Sequence, residues 1–385
     1  MAARDCWRLF LLWLAGVDLR LTILALPPVL PLIHRDLELS EKAVAVLTGL
    51  PVLLFAIVAI PGALLISRLG ARRTLVASLV AVAVSSACRG FGPSIPMLFG
   101  MTLVMGAGIA IMQPAMPSLV NDWFRDRAGL ATAVYANGLL IGEALAAAFT
   151  LPVLLPLVGG SWPLSFVIWA VPVLVTAALV AEAARPQTAR PTRAGRLWWP
   201  DLRDRNTWAL GLLSAASATI YFGANAFLPD FLYAAGTPEL VGPCLTSLNV
   251  GQLPSSILLL LFAKRLSGRK APLVAAGIGS LLGLALFAAG GAAAEIAGAG
   301  LIGLTAAFAL ILTLALPVIV GDPNTVHRLA AGMFAIGHSI AFAVSLIGGV
   351  IWDATGSSVA ASLPVLAGVV FLVAGVAVLR PPQGH

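Results

Sequence analysis

Long apolar runs, broken by short clusters of charge, Gly and Pro, repeat along the whole chain. A membrane-spanning helix needs about 20 mostly apolar residues. Cutting the chain at its polar and Gly/Pro clusters predicts twelve such helices, near 7–33, 43–67, 74–91, 96–121, 128–151, 162–183, 206–233, 240–263, 271–290, 296–320, 329–352 and 358–379. The first begins at Trp7 and is too long for the apolar region of a cleaved leader, which runs to roughly 7–15 residues. It is therefore read as the first span.

Composition supports this pattern: 60% of residues are hydrophobic and 10% charged. Soluble domains carry about 25% charged residues, so a soluble surface cannot be built here. The net charge of +7 could suggest a nucleic-acid partner, but the positions of the basic residues exclude that reading. With both termini placed in the cytoplasm, inner segments hold Arg4, Arg8, Arg68, Arg72, Arg73, Arg125, Arg127, Arg185, Arg190, Arg193, Arg196, Arg203, Arg205, Lys264, Arg265, Arg269, Lys270, Arg328 and Arg380. Outer segments hold Arg35, Lys42 and Arg89. Nineteen against three is the positive-inside asymmetry of a multi-pass protein of a bacterial-type inner membrane. The excess charge is a topology signal.

The longest hydrophilic stretch, residues 185–205, divides six spans from six. The chain is thus expected to consist of an N-terminal half (1–184), a basic cytoplasmic linker (185–205) and a C-terminal half (206–385). Trp198 and Trp199 make the linker either an interfacial segment on the inner leaflet or a solvated connection. An internal repeat accompanies the division. Leu30-Pro31 ends span 1 and Arg72-Arg73 follows span 2, while Leu228-Pro229 ends span 7 and Arg269-Lys270 follows span 8. The predicted fold class is an all-α integral membrane protein with twelve helices in two pseudo-symmetric six-helix halves. Such halves place a solute site near the midplane between them.

Few residues are left to carry chemistry. Cys6, Cys88 and Cys244 lack metal-ligand or disulfide spacing, and the four histidines are scattered, so neither metal nor cofactor is expected. A hydrolase triad and a Gly-rich phosphate loop are missing, which argues against an enzyme and against an ATP-driven pump. Arg20 stands out. It lies 13 residues after Trp7, roughly 20 Å along a helix, well inside the hydrocarbon. A guanidinium there costs at least about 2.5–3.5 kcal/mol. It is read as binding an anionic or strongly polar solute from a water-filled cavity, or as half of an ion pair with Asp18 or Glu143. Asp18 lies two positions away, roughly 200° round the helix, so it does not share Arg20's face. Glu143 in span 5 is a candidate partner, or a proton carrier, as is Asp18.

The remaining candidates are neutral. Gln113 lies in the run from Gly106 to Pro117, where glycines permit close helix approach and Pro114 and Pro117 bend span 4. Tyr221 and Asn225 share a face of span 7, and Asn249 and Gln252 share one in span 8. His338 lies in span 11. Thr48 and Asn137 are weaker candidates.

The run Ser67-Arg68-Leu69-Gly70-Ala71-Arg72-Arg73 resembles the loop motif D-R-x-G-R-R/K of the major facilitator superfamily. Ser67 stands where the acid usually is, and Ala71 replaces the first Arg of the pair. Lys264-Arg265-Leu266-Ser267-Gly268-Arg269-Lys270 is a looser second copy. Within that superfamily the chain is similar to the cyanate permease and 2-nitroimidazole transporter branch. The matching stretches are Gly16-Val17-Asp18-Leu19-Arg20, Leu47-Thr48-Gly49-Leu50-Pro51, Gly106 to Pro117, Ala226-Phe227-Leu228-Pro229 and Gly251-Gln252. The resemblance implies a monomeric secondary transporter of small anionic or polar nitrogen-containing solutes, with protons a candidate co-substrate. The rival is a proton-coupled drug or metabolite exporter using Glu143 or Asp18. The Gly138–Glu143 run lacks the Gly-Pro pair of drug/proton antiporters.

Overall fold

A computed structural model describes residues 3–39, 41–92, 94–183, 197–355 and 362–379. Most of the predicted linker, residues 184–196, lies outside this set, as do the side chains of Thr48 and Lys42.

Among the described residues no strand is present. The helices are α1 (Ala3–Leu24), α2 (Leu26–Leu37), α3 (Glu41–Leu69), α4 (Ala71–Cys88), α5 (Ile95–Phe124), α6 (Ala128–Phe149), α7 (Leu155–Leu157), α8 (Trp162–Glu182), α9 (Arg205–Ala235), α10 (Val241–Val250), α11 (Gln252–Leu266), α12 (Lys270–Ala289), α13 (Ala292–Val320), α14 (Val326–Thr355) and α15 (Leu363–Val378). Nine apolar helical runs among the described residues are long enough to cross a membrane. One of them, Ile95–Ala146, covers 52 residues and turns through a short 3-10 segment at Arg125–Arg127, so it supplies two crossings. With the shorter apolar helices Leu53–Leu69 and Leu363–Val378, the chain accommodates twelve crossings. Exposed apolar side chains such as Val171, Leu174, Leu282 and Val370 suit a lipid-facing surface.

The described chain divides into two compact units. The first comprises Met1–Arg125, Val134–Trp199 and Pro323–Ala331, and the second Asp126–Ala133, Pro200–Asp322 and Gly332–His385. Inside the first unit α3 and α4 pack on α5, α4 packs on α8, and α1 packs on α8. Inside the second, α11 and α12 pack on α13, α12 packs on α15, and α9 packs on α15. Span for span these are the same pairings, so the sequence repeat is also a repeat of packing.

Glycines and prolines set the local breaks. Pro27 and Pro28 occupy the first turn of α2, where a missing N–H is harmless, and α1 stops at Leu24. In each motif copy the chain turns at a glycine with positive φ, Gly70 at 82° and Gly268 at 78°. Gly70 has ψ 158°, a region essentially closed to residues with a Cβ. A Cβ there would meet nothing within 4 Å, so the cost of one is purely conformational. Gly70→Ala is expected to destabilise by about 1–3 kcal/mol, measured as a lower thermal unfolding midpoint, with solute affinity unchanged.

The linker's described end is held in place within the first unit. His327 Nε2 lies 2.9 Å from the Leu197 carbonyl, and Arg328 Nε donates to the Trp199 carbonyl at 2.8 Å. The Trp198 and Trp199 rings meet edge to face at 5.5 Å.

Candidate functional site

In the first unit the site is built where α1 meets α6. Three glycines let the two backbones touch. A Cβ on Gly16 would sit 2.1 Å from the Tyr135 carbonyl oxygen, one on Gly138 2.2 Å from that of Trp13, and one on Gly142 2.2 Å from that of Val17. Small residues at such spacing permit close helix approach, which replaces the hydrophobic drive that lipid removes. The Trp13 indole N–H donates to Asn137 Oδ1 at 3.0 Å and fixes the register at the inner end of this contact. One turn further out, Arg20 follows Gly16 at i+4 and Glu143 follows Gly142 directly. Their side chains meet, Arg20 Nε to Glu143 Oε1, at 3.4 Å. Both side chains are mostly withdrawn from solvent, 11% and 13% exposed.

Of the two partners open to Arg20 in the sequence, the structure thus places Glu143 against it. Asp18 points the other way. It is 1% exposed and faces the Thr176 hydroxyl of α8, as helical periodicity required.

Gln113 lies on α5 between the breaks at Pro114 and Pro117 and is 7% exposed. Its amide makes no hydrogen bond to the described residues. The glycines of the same run serve packing. A Cβ on Gly106 would strike Leu54 of α3 at 2.7 Å, and one on Gly108 would strike Val82 of α4 at 2.8 Å.

The second unit carries a network of neutral groups, and four predicted residues form it. Tyr221 donates its hydroxyl to Asn249 Oδ1 at 2.8 Å. Asn249 Nδ2 donates to Asn225 Oδ1 at 3.3 Å and to the Leu245 carbonyl at 2.8 Å. Gln252 Nε2 reaches Asn249 Oδ1 at 3.4 Å, and Asn225 Nδ2 donates to the Tyr221 carbonyl at 2.9 Å. Asn249 is the hub. It sits at the end of α10, which stops at Gly251 because α13 presses against it. A Cβ on Gly251 would lie 2.4 Å from the Gly300 carbonyl oxygen, and one on Gly303 1.8 Å from that of Leu248.

His338 is 5% exposed. Its Nδ1 lies 3.0 Å from the Phe334 carbonyl of its own helix, and its ring leans on Phe334 at 5.9 Å. That arrangement suits packing as well as it suits a ligand. Sequence reasoning missed the glycine contacts of α1 with α6 and of α10 with α13. The pairs Gly138/Gly142 and Gly300/Gly303, spaced at i+4 and i+3 in apolar helices, were the available signal. It also missed Arg89. Counted as an outer-segment residue, Arg89 is wholly buried.

Among the described residues no group of three or more His, Cys, Asp or Glu could hold a metal ion. The cyanate transport protein CynX of Escherichia coli (strain K12) is 28% identical over 270 residues, 68% of this chain and 68% of that protein. The 2-nitroimidazole transporter of the same organism is 27% identical over 230 residues, 58% of this chain and 57% of that protein. The crystal structure of FucP, a Major Facilitator Superfamily transporter in the outward conformation, superposes with a TM-score of 0.78 at 15% identity, covering 98% of this chain and 99% of that one. That likeness shows the fold. Residues 10–324 match the family model described as Major Facilitator Superfamily. With helices, repeat and family model in agreement, the chain belongs to the Major Facilitator Superfamily, whose members are membrane transporters and not enzymes.

Proposed function

We propose that this protein is a secondary active transporter that moves a small anionic or polar nitrogen-containing solute, cyanate-like in size and charge, across the inner membrane by alternating access. Arg20 binds the solute. The observation that carries this reading is the Arg20–Glu143 pair, a charge retained inside a spanning helix at a cost that only function or compensation explains. Glu143 compensates it at 3.4 Å. A guanidinium has five N–H donors in a planar fork suited to small planar or linear anions. An incoming anion competes with the Glu143 carboxylate for that fork, so binding is reversible and the empty state keeps no naked charge. Gln113 and the Tyr221–Asn225–Asn249–Gln252 group supply amide and hydroxyl contacts of the kind a nitrogen-containing solute uses. The relatives whose printed names concern cyanate and 2-nitroimidazole support the class of solute. The basic-residue asymmetry supports cytoplasmic termini.

The test is counterflow in proteoliposomes with cyanate, other small monovalent anions, neutral nitrogen heterocycles and lipophilic cations. Saturable exchange of cyanate or another small anion supports the reading. Exchange of lipophilic cations alone would overturn it. Asn249→Ala, which removes the hub of the polar network, is expected to weaken solute affinity about tenfold, the worth of one to two hydrogen bonds.

The second reading, a proton-coupled exporter, uses the same Glu143 as carrier, and the position of its carboxylate against Arg20 favours Glu143 over Asp18 for that role. Glu143→Gln separates the two readings. With Arg20 as the anion ligand, the variant binds anion more tightly, because the competing carboxylate is gone. With Glu143 as the carrier, proton-driven export of drugs collapses.

A further inference from the structure

Asp18 and Arg89 belong to neither polar group described so far, yet both are buried and each has unsatisfied atoms. Arg89 caps α4 and is 0% exposed. Its Nη2 donates to the Thr22 carbonyl of α1 at 3.2 Å and to Ser86 Oγ at 3.2 Å. Its guanidinium carbon lies 4.3 Å from the centroid of the Phe166 ring of α8. Nε and Nη1 are buried and have no acceptor among the described residues. On α1, Thr22 Oγ1 and Asp18 Oδ2 are likewise buried and unpartnered among those residues. Thr22 follows Asp18 by four positions, so both face the seam of α1 with α4 and α8 while Arg20 faces α6.

A guanidinium held in a protein interior needs a compensating charge and acceptors for its N–H groups. Buried polar groups are almost always satisfied, by protein or by ordered water. The acidic residue on Thr22's face of α1 is Asp18. The four orphan atoms, two donors on Arg89, one hydroxyl and one carboxyl oxygen, match the two to four partners that hold a buried water in place.

We propose that Asp18 and Arg89 compensate one another across the seam, bridged by the Thr22 hydroxyl and ordered water, and that this link anchors the rear of α1 so that Arg20 faces Glu143. Asp18 is then a positioning residue and neither a proton carrier nor a ligand for solute. The geometry also explains why one helix bears opposite charges two residues apart: one faces the partner helices of the seam and the other faces α6.

The test is a charge-neutralisation cycle on the full chain, with Asp18→Asn, Arg89→Gln and the double variant Asp18→Asn/Arg89→Gln, plus Thr22→Val. Unfolding is followed by tryptophan fluorescence in detergent, and uptake is measured in proteoliposomes. Each single neutralisation strands a buried charge and is expected to lower the unfolding midpoint by roughly 5–10 °C. The double variant strands none and regains at least half of that loss together with its uptake, and Thr22→Val shows a smaller loss. If a single variant does not accumulate, recovery of membrane expression in the double variant is the readout. A double variant whose losses equal the sum of the singles overturns the link. A double variant restored in stability but inactive in uptake also overturns the proposal, since Asp18 would then act in transport itself.

Discussion

Gly142→Leu is expected to remove most of the protein from the membrane and to abolish uptake by whatever remains. A Cβ at this position would sit 2.2 Å from the Val17 carbonyl oxygen, and the atoms in its way are backbone, which cannot rotate aside. The helices must separate by about 1 Å to accept even one methyl group, and by more for a branched side chain. Overpacking of this kind costs about 1–3 kcal/mol in adaptable cores. It costs more here, because Gly16 and Gly138 repeat the contact along the same two helices at 2.1 and 2.2 Å. The functional consequence follows from position. Glu143 is the next residue, and its pairing with Arg20 at 3.4 Å has no slack for a helix shift. Gly142→Ala should therefore give a folded protein with a lower unfolding midpoint and weakened uptake. Gly100→Ala is the control. Position 100 lies within α5 and a Cβ there meets nothing within 4 Å, so the exchange should be neutral or stabilise by about 0.5–1 kcal/mol. Membrane expression, unfolding midpoint and uptake of the three variants check the argument together.

The second large effect is expected at Arg20. Arg20→Ala removes the guanidinium and leaves the Glu143 carboxylate without its compensating charge. Breaking a buried pair from one side costs about 3–5 kcal/mol, so loss of uptake in this variant alone would mix damage to the fold with damage to the site. Arg20→Met/Glu143→Met separates them. Replacing both members of a buried pair by apolar groups of similar volume is neutral or stabilising in many proteins. The double variant should regain the unfolding midpoint of the wild type while uptake stays absent. Arg20→Lys keeps the charge without the planar fork. It should retain stability in part and bind anion at least tenfold more weakly, the worth of about 1.4 kcal/mol.

The spans were legible in the sequence because lipid imposes a length and an apolarity that hydropathy reads directly. The stretch expected at 162–183 is the helix Trp162–Glu182, and that expected at 271–290 is Lys270–Ala289. The opposition of Asp18 and Arg20 followed from the helical period alone, and the pairing of Tyr221, Asn225, Asn249 and Gln252 followed from shared faces on adjacent helices. What the sequence left open was which face meets which helix. In a soluble helix the apolar stripe marks the buried side. In these helices lipid-facing and protein-facing sides are both apolar, so Arg20's choice of Glu143 had no periodic signature. The breaks at Ala25 and Gly251 and the π-helical turn Thr150–Leu154 lie inside unbroken apolar runs for the same reason. Arg89 was misjudged because charge near a predicted helix end normally means exposure. Here Phe166 and the Thr22 carbonyl take the guanidinium inward.

Binding of solute to Arg20 is the central claim, and calorimetric titration of cyanate into the purified protein tests it most directly. The wild type and Arg20→Met/Glu143→Met should be compared at matched unfolding midpoints. Heat of binding in the wild type, with none in the double variant, is the result expected if the guanidinium holds the anion. Equal cyanate affinity in the two proteins would contradict it.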